Sequence, residues 1–518
     1  LMSGGEPVLT PEILAEIEKR GIVPDKIYAQ LDMLKKGVPS EDLVRPCTVG
    51  DGIVSIEGKT EEYSAYYEEA SPGLEVVKFV PASGAATRMF KELASAVATC
   101  TPADRKDLEK AASGGDGDAA SALAFVEKVK KFAFYDELAA ALKKDGLDPE
   151  ALLEAGGFGP FIVYTLDARG LNYSSLPKGI IKFHSYPDGP RTAFEEHLVE
   201  SVLYAHGEDG KAHVHFTLSP EHVDTVSAYL AGVKGQYEGE TTAIEISYSV
   251  QSPSTDTIAA AMDGGPFIDD AGKPVFRPGG HGALIGNLGA LGADVAYVKN
   301  VDNVVPDRLK PGTVLYKRAL GGYLLKLREI LFSTIEAAKQ GGKGKVIEAG
   351  VRRLSEMGLR VDVPEGAGQK AILEALRRPI RVAGVVRNTG EPGGGPFLVR
   401  RPDGKIAPQI VESAQVDMSV PEEKAIWESS THFNPVDMVC ALTDETGKPY
   451  DLSRFVDPEA AFISVKSKDG RELKALELPG LWNGGMAFWH TVFIEVPGAT
   501  FNPVKTVFDL LRPEHQPG

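Results

Sequence analysis

Cysteine is scarce in this chain. Cys47, Cys100 and Cys440 are its three cysteines in 518 residues, and no two form a CxxC pair. That argues against a disulfide framework and against the paired-thiolate pattern of a structural zinc site. Basic residues are the second shortage. Lys and Arg number 56 against 73 Asp and Glu, a formal net charge of −17, and such a surface repels nucleic acid and anionic membranes. Small anions remain admissible, because salt screens distant charge over about 10 Å and leaves local basic clusters in control. Long apolar runs are missing too: none approaches the roughly 20 residues of a membrane span. Leu1 to Gly5 carry no signal-peptide pattern. The expectation is a cytoplasmic chain with no nucleic-acid and no membrane partner; its oligomeric state is not legible.

What is present is ordinary in bulk and particular in detail. Apolar content of 43% and charged content of 25% are those of a folded globular chain. Its length predicts a large central domain with appendages. Near residue 80, an apolar run from Val76 to Pro81 enters the small-residue loop Ala82-Ser83-Gly84-Ala85-Ala86, which Thr87, Arg88, Met89, Phe90 and Lys91 follow. A strand that aims such a loop at a helix start builds an anion site, since backbone N–H groups and the positive helix end converge there. Thr87 adds a hydroxyl and Arg88 a guanidinium fork suited to phosphate oxygens. The same letters also suit a plain strand-to-helix turn.

Three regions follow from the patterning. Residues 1–73 read as an N-terminal helical extension, with Thr10-Pro11-Glu12 a good start signal. Residues 74–380 read as a core carrying a helical insertion at 102–156. Residues 381–518 read as a Gly- and Pro-rich region of strands and long loops that completes the core. Within the core, Phe161–Tyr164, Val214–Leu218, Ala243–Ser247 and Val295–Val298 are short β-branched or aromatic runs, separated by helical stretches at 193–206 and 220–233. Strands alternating with helices predict an α/β fold with a mixed, mainly parallel sheet flanked by helices.

Further segments carry chemistry. Leu176-Pro177-Lys178-Gly179 sets a lysine in a turn, with Lys182 and His184 beyond it. Pro278-Gly279-Gly280-His281-Gly282 would expose backbone groups to a planar ligand. Tyr297 to Asn303 is an apolar strand ending in Asp302 between amides, and carboxyl ends of strands are where α/β sheets gather ligands and cations. Pro503-Val504-Lys505 sets a second lysine in a late turn. Each has a bland reading: Lys178 and Lys505 as surface lysines, Asp302 as a helix cap, Glu412 as a solvated strand residue, Asn434 before Pro435 as a turn initiator. His213 and His215 share a strand face without an evident third ligand, which favours a structural reading over a metal pair.

In order and spacing, these segments resemble the UDP-sugar pyrophosphorylases, nucleotidyltransferases of the GT-A (Rossmann-like) type. The correspondence runs through Gly84–Met89, Pro177–Gly179, Pro278–Gly282, Asn300–Asn303, Gly384–Val386, Ile410–Glu412, Phe433-Asn434 and Pro503–Lys505, spanning residues 76 to 506. Thr431–Asp437 and Phe501–His515 further resemble an uncharacterised bacterial family, a domain of unknown function related to those enzymes. The resemblance implies uridylyl transfer from a nucleoside triphosphate to a sugar 1-phosphate. It assigns catalytic roles to Arg88, Lys178 and Lys505, and nucleotide binding to Ser83, Gly84, Ala85, Ala86, Thr87, Gln251, Gly280 and His281. It further assigns sugar binding to Gly384, Glu412 and Asn434, and Mg2+ binding to Asp302. The small-molecule partners would be a nucleotide and a sugar phosphate.

One departure sits in the identifying loop, where Ser83-Gly84-Ala85-Ala86 replaces a Gly-Gly-x-Gly pattern. If the substituted position needs positive φ, alanine there costs about 1 kcal/mol or more. The departure therefore predicts that triphosphate is held differently. It keeps two alternatives open: a nucleotide or nucleotide-sugar binding protein altered in catalysis, and glycosyl transfer on the same fold.

Overall fold

The computed structural model describes residues 9–207, 209–239, 242–341, 344–364, 366–390 and 393–518. The chain forms two compact units: unit 1 comprises Leu1–Phe79, Ser249–Val298 and Leu315–Gly498, and unit 2 comprises Val80–Tyr248, Lys299–Val314 and Ala499–Gly518.

Unit 1 holds a seven-strand stretch of mixed sheet. Its spatial order is Thr48–Val49, Gly52–Val54, His490–Glu495, Ile380–Arg387, His432–Ala441, Val295–Lys299 and Val76–Pro81. Val76–Phe79 lies parallel to Val295–Val298, and Ile380–Val385 parallel to His490–Glu495. His432–Ala441 runs antiparallel to Ile380–Arg387, with a register shift between Gly384 and Val386. Near-continuous burial along Val76–Pro81 and Val295–Lys299 explains why both are mostly apolar rather than alternating, with Lys78 and Lys299 buried among them. Phe79, Leu288, Val298, Met438, Leu481 and Phe493 pack in one core of this unit. The helices Pro11–Arg20 and Pro24–Lys36 bury Ile13, Ile17, Ile27 and Leu31 against Ile258, Ala260 and Leu476. Thr10 caps the first through Oγ1, which accepts from the Ile13 N–H at 3.4 Å.

The N-terminal stretch to Gly73 is less helical than its pattern predicts. Leu43–Pro46 pairs antiparallel with Gly395–Arg400, and Gly52–Val54 joins His490–Glu495 in parallel. The strands of this stretch are two to four residues long, too short for a period of two to declare itself, and the partners of Leu43–Pro46 and Gly52–Val54 just named lie hundreds of residues away.

Unit 2 has two cores. In one, the helices Ala193–Tyr204 and Val223–Val233 cover the strands Ala212–Leu218 and Ile244–Val250 through Phe194, Leu198, Val226, Leu230, Val214 and Phe216. Phe194 and Phe216 are fully buried, worth roughly 2–3 kcal/mol each in transfer from water. In the other, helices between Lys91 and Leu166 gather around Phe90, Phe125, Phe132, Phe134 and Tyr173, with Phe132 stacked on Phe134 at 5.0 Å. The run Phe161-Ile162-Val163-Tyr164, expected as a strand, is the middle of the helix Gly159–Leu166. Its β-branched and aromatic content fits a buried helix equally well, and Pro160 at the helix start decides for helix.

Candidate functional site

The phosphate-type loop of unit 2 is fixed at both ends by its neighbours. The Ala82 N–H donates to Thr217 O at 3.0 Å, and Ser219 Oγ donates to Ser83 O at 3.0 Å. Opposite, the Lys178 N–H donates to Gly84 O and the Ala86 N–H to Leu176 O, both at 3.2 Å. Farther along, the Val507 N–H donates to Met89 O at 3.2 Å, which brings the C-terminal segment to the same loop. The N–H groups of Ser83, Gly84 and Ala85 have no protein acceptor among the described residues. Exposed amide donors in sequence are the ingredients of an anion-binding concavity. Thr87 and Arg88 are exposed beside them, and Arg88 forms no ion pair among the described residues.

The expected clash of the two alanines does not arise. Ala85 has φ −70° and ψ 151°, ordinary extended backbone, and Ala86 is not among the residues with positive φ. Ala86 is fully buried, its methyl packed with Met89, Phe90 and Leu93, so it points into the core rather than over the loop. A Cβ added at Gly84 would meet nothing within 4 Å. The loop opens into a single 3-10 turn, Ala86–Arg88, and the α-helix begins only at Lys91, later than the motif predicts.

Asp302 is where the two lysines meet. Its Oδ2 accepts from Lys178 Nζ at 2.6 Å and from Lys505 Nζ at 3.0 Å. The side chains of Lys178 and Asp302 are 15% and 8% exposed, and that of Lys505 60%. Burial alone would raise the Asp302 carboxyl, but the two ammoniums outweigh it and hold the group below its ordinary value. Burial lowers the Lys178 ammonium despite Asp302 beside it. Oδ1 of Asp302 is buried with no hydrogen-bond partner among the described residues. That orphaned oxygen fits a cation such as Mg2+, which takes one or two carboxylates and leaves its other positions to water and substrate phosphates.

The Asp302 loop is braced by the helix expected at 193–206, whose buried charged residues the sequence does not announce. Ala193–Tyr204 buries Glu195, Glu196, His197 and Glu200. Lys299 Nζ donates to both Glu200 oxygens, at 2.8 and 3.0 Å, and His197 Nε2 bonds Val301 O at 3.1 Å. Lys310 Nζ donates to Val305 O at 2.7 Å and to Glu196. Glu196 also accepts from Tyr186 and pairs with His184, whose other nitrogen meets His515 Nδ1 at 2.9 Å. The available signal was Thr192-x-x-Glu195, a capping box that is realised.

The other expected site residues belong to unit 1. Nε2 of Gln251 is buried without a hydrogen-bond partner among the described residues. Gly280 has φ +75°, a conformation that favours glycine. Its neighbours are held by packing: a Cβ at Gly279 would lie 2.5 Å from Thr255 O, and at Gly282 2.0 Å from Pro479 O. The His281 ring stacks on Trp482 at 4.1 Å, and its Nδ1 accepts from the Leu481 N–H. Burial pushes this histidine down to about 4. Glu412 closes a capping box with Gln415, and burial raises its carboxyl against hydrogen bonds from Trp482 and Asn483. The Asn434 N–H donates to Gly394 O at 2.8 Å, and Asn434 Oδ1 accepts from Val436, which stands at φ +55°. Such a φ is unusual for a β-branched residue and marks a constrained turn. Gly384 sits between two paired strands at the register shift.

His213 gathers Asp209 and Glu245 rather than His215, with ligand atoms within 4.8 Å of one another. Lys211 donates its ammonium to both of those carboxylates, so a cation already occupies their charge. His215 instead bonds Ser247 Oγ at 2.8 Å. No helix among the described residues is long and apolar enough to cross a membrane.

Among solved structures, the chain is similar to a putative UDP-N-acetylglucosamine pyrophosphorylase from Entamoeba histolytica. That match has 12% identity and TM-score 0.44, covering 90% of this chain and 84% of the other. It is also similar to the uridine diphosphate N-acetylglucosamine pyrophosphorylase from Trypanosoma brucei (12%, TM-score 0.46, covering 94% and 74%). A third is the UDP-glucose pyrophosphorylase from Leishmania major (13%, TM-score 0.42, covering 96% and 77%). No curated protein matches the sequence. The family described as "Domain of unknown function (DUF4301)" matches residues 10–516, nearly the whole length, and the chain belongs to that family.

Proposed function

We propose that the protein transfers a nucleotidyl group, uridylyl on the pattern of its motifs, from a nucleoside triphosphate to a sugar 1-phosphate. The observation that carries this reading is the meeting of Lys178 and Lys505 on Asp302, tied through the Lys178 backbone to a loop with free amide donors. A phosphate oxygen of the sugar phosphate attacks the α-phosphorus, the bond from that phosphorus to its β-bridging oxygen breaks, and pyrophosphate leaves. Such a reaction asks little covalent chemistry of the protein and much positioning and charge neutralisation. The Ser83–Ala85 amides, Thr87 and Arg88 hold the leaving phosphates. Lys178 and Lys505 swing between Asp302 and the charge that builds on the α-phosphate and the sugar phosphate. Asp302 would hold a magnesium ion, which would supply further neutralisation of phosphate charge. On unit 1, the buried amide of Gln251 is the group assigned to the base, with Gly280 and His281, while Glu412, Asn434 and the Gly384 backbone are assigned to sugar hydroxyls. The ordinary φ of Ala85 and the inward methyl of Ala86 support retained catalysis, since they remove the reason for a binding-only reading.

The test is direct. Incubate the protein with Mg2+, each triphosphate and a panel of sugar 1-phosphates, and follow pyrophosphate release. Turnover with at least one pair is expected, and Lys505→Met should lower kcat by about 100-fold or more with little change in Tm. Folded protein that releases no pyrophosphate with any pair would overturn the reading.

A further inference from the structure

A second basic site lies in unit 1, at the amino ends of two parallel strands. Ile380–Arg387 and His490–Glu495 pair in register from Ile380↔His490, and Arg378 stands two residues before the first of them. Substrate sites of parallel sheets gather at the carboxyl ends, so this edge is the opposite one within its unit. There a cavity of about 60 Å³ is lined by Arg360, Arg378, Arg401 and Lys405, with Asp362 and Asp403. Four cations and two carboxylates thus line it, and Arg360 also pairs with Asp51 at 3.7 Å. Thr491 and His490 form its floor.

Part of the positive charge at this cavity has no direct counter-ion. Arg378 donates to Phe488 O at 3.3 Å and Arg401 to Ala487 O, so both guanidiniums spend donors on backbone carbonyls. Neither forms an ion pair within 4.0 Å among the described residues. Behind the floor, Arg381 is 0% exposed, and its guanidinium is held by neutral partners alone: Thr491 Oγ1 at 2.9 Å, Gln409 Oε1 at 2.8 Å and Trp482 O at 2.5 Å. Burial pushes Arg381 down to about 9 and lowers Arg378 and Arg401 as well; Arg401 acts against Arg381 and Arg378 against Arg401, while Asp362 and Asp403 act the other way on Arg378 and Arg401. Buried charge without a counter-ion is costly. An oxyanion that receives forked N–H donors offsets that cost.

The cavity is roomy enough for a tetrahedral oxyanion, since about 10–15 Å³ of such space holds one water. Arg378 also lines an adjoining cleft of about 770 Å³, walled by Tyr450, Phe455 and Phe488. That is the scale of a small-molecule site. We infer that the cavity binds a phosphoryl group, carried by a small phosphorylated metabolite whose body lies in the adjoining cleft. This site is independent of the transfer reaction proposed above.

Calorimetry and thermal shift of the full chain, titrated with inorganic phosphate, test the inference. Saturable binding is expected, and Arg378→Met combined with Arg401→Met should weaken it tenfold or more. Lys178→Met combined with Lys505→Met should leave this binding event in place, which separates it from phosphate held at the transfer site. If the arginine variant does not fold, Arg360→Met and Lys405→Met, at exposed positions, should each weaken phosphate about threefold. Absence of saturable binding would overturn the inference, and so would binding that survives the arginine replacements or vanishes with the lysines.

Discussion

At Asp302 one carboxylate oxygen serves two ammoniums of unequal burial, and that inequality predicts unequal consequences. Lys178 is nearly as enclosed as Asp302, whereas Lys505 reaches it from a largely exposed position. Lys178→Met leaves a buried carboxylate with one exposed partner, and should cost about 3 kcal/mol. Lys505→Met removes an exposed partner and should cost under about 1 kcal/mol. Urea denaturation at pH 7 measures both, and equal losses would contradict the burial argument. The sign with pH follows from Asp302, whose folded value is lowered. Its contribution is present above the unfolded carboxyl value of about 3.9 and fades as pH falls below it, so the contrast between the variants should shrink in acid. Part of this arrangement was legible as letters: Pro177-Lys178-Gly179, Asn300–Asn303 and Pro503–Lys505 each contain one of the three residues that meet here. What the letters withheld was that lysines 124 and 203 residues away from Asp302 would share its Oδ2. They also misdirected at Ala86, because a motif records which residue stands at a position and not its φ or where its methyl points.

The element that carries most of the buried charge is the helix Ala193–Tyr204. Glu195, Glu196 and His197 are all buried: Tyr229 and Tyr237 donate to Glu195, Tyr186, Lys310 and His184 meet Glu196, and His197 bonds Val301 O. Burial of that kind is a tertiary fact and leaves no periodicity to detect. The apolar runs at 214–218 and 295–298 were legible because each strand is specified by its own side chains. The run at 161–164 was not, since an all-apolar segment is as consistent with a buried helix as with a strand. Glu200 and Lys299 give the element its test. Both side chains are at most 1% exposed. Glu200→Gln should cost about 3–5 kcal/mol by stranding a buried ammonium, whereas Glu200→Met with Lys299→Met should recover most of that loss. A double-mutant cycle in urea gives the coupling directly. A double variant no more stable than Glu200→Gln would show that the pair is not what braces the loop.

Across the whole molecule, neutral buried histidines set the response to acid. Burial pushes His281 and His490 of unit 1 down to about 4, His215 of unit 2 down to about 4 and His515 down to about 3. His184, bonded to His515, is lowered by burial too, against the pull of Glu196. An unfolded histidine titrates near 6.5, so between about 6.5 and these folded values the unfolded chain binds more protons than the folded one. Stability is therefore fully present above pH 6.5 and is lost as pH falls through that window. At pH 5 the loss is on the order of 2 kcal/mol for each such histidine, at about 1.36 kcal/mol per pH unit. Acidification also reduces the net charge of −17 and relieves self-repulsion. That relief is spread over an exposed surface and screened by salt, so the buried groups should prevail. The two units can be followed separately, because Trp427, Trp482 and Trp489 are the chain's three tryptophans and all lie in unit 1. Tryptophan fluorescence thus reports unit 1, while far-ultraviolet circular dichroism reports both. In urea, both midpoints should hold steady from pH 8 to 7 and fall between pH 6.5 and 5. His490→Gln keeps a donor for Leu376 O without a titrating ring, so it should flatten the acid fall of the fluorescence midpoint. An unchanged fall in that variant would place the acid sensitivity of unit 1 elsewhere.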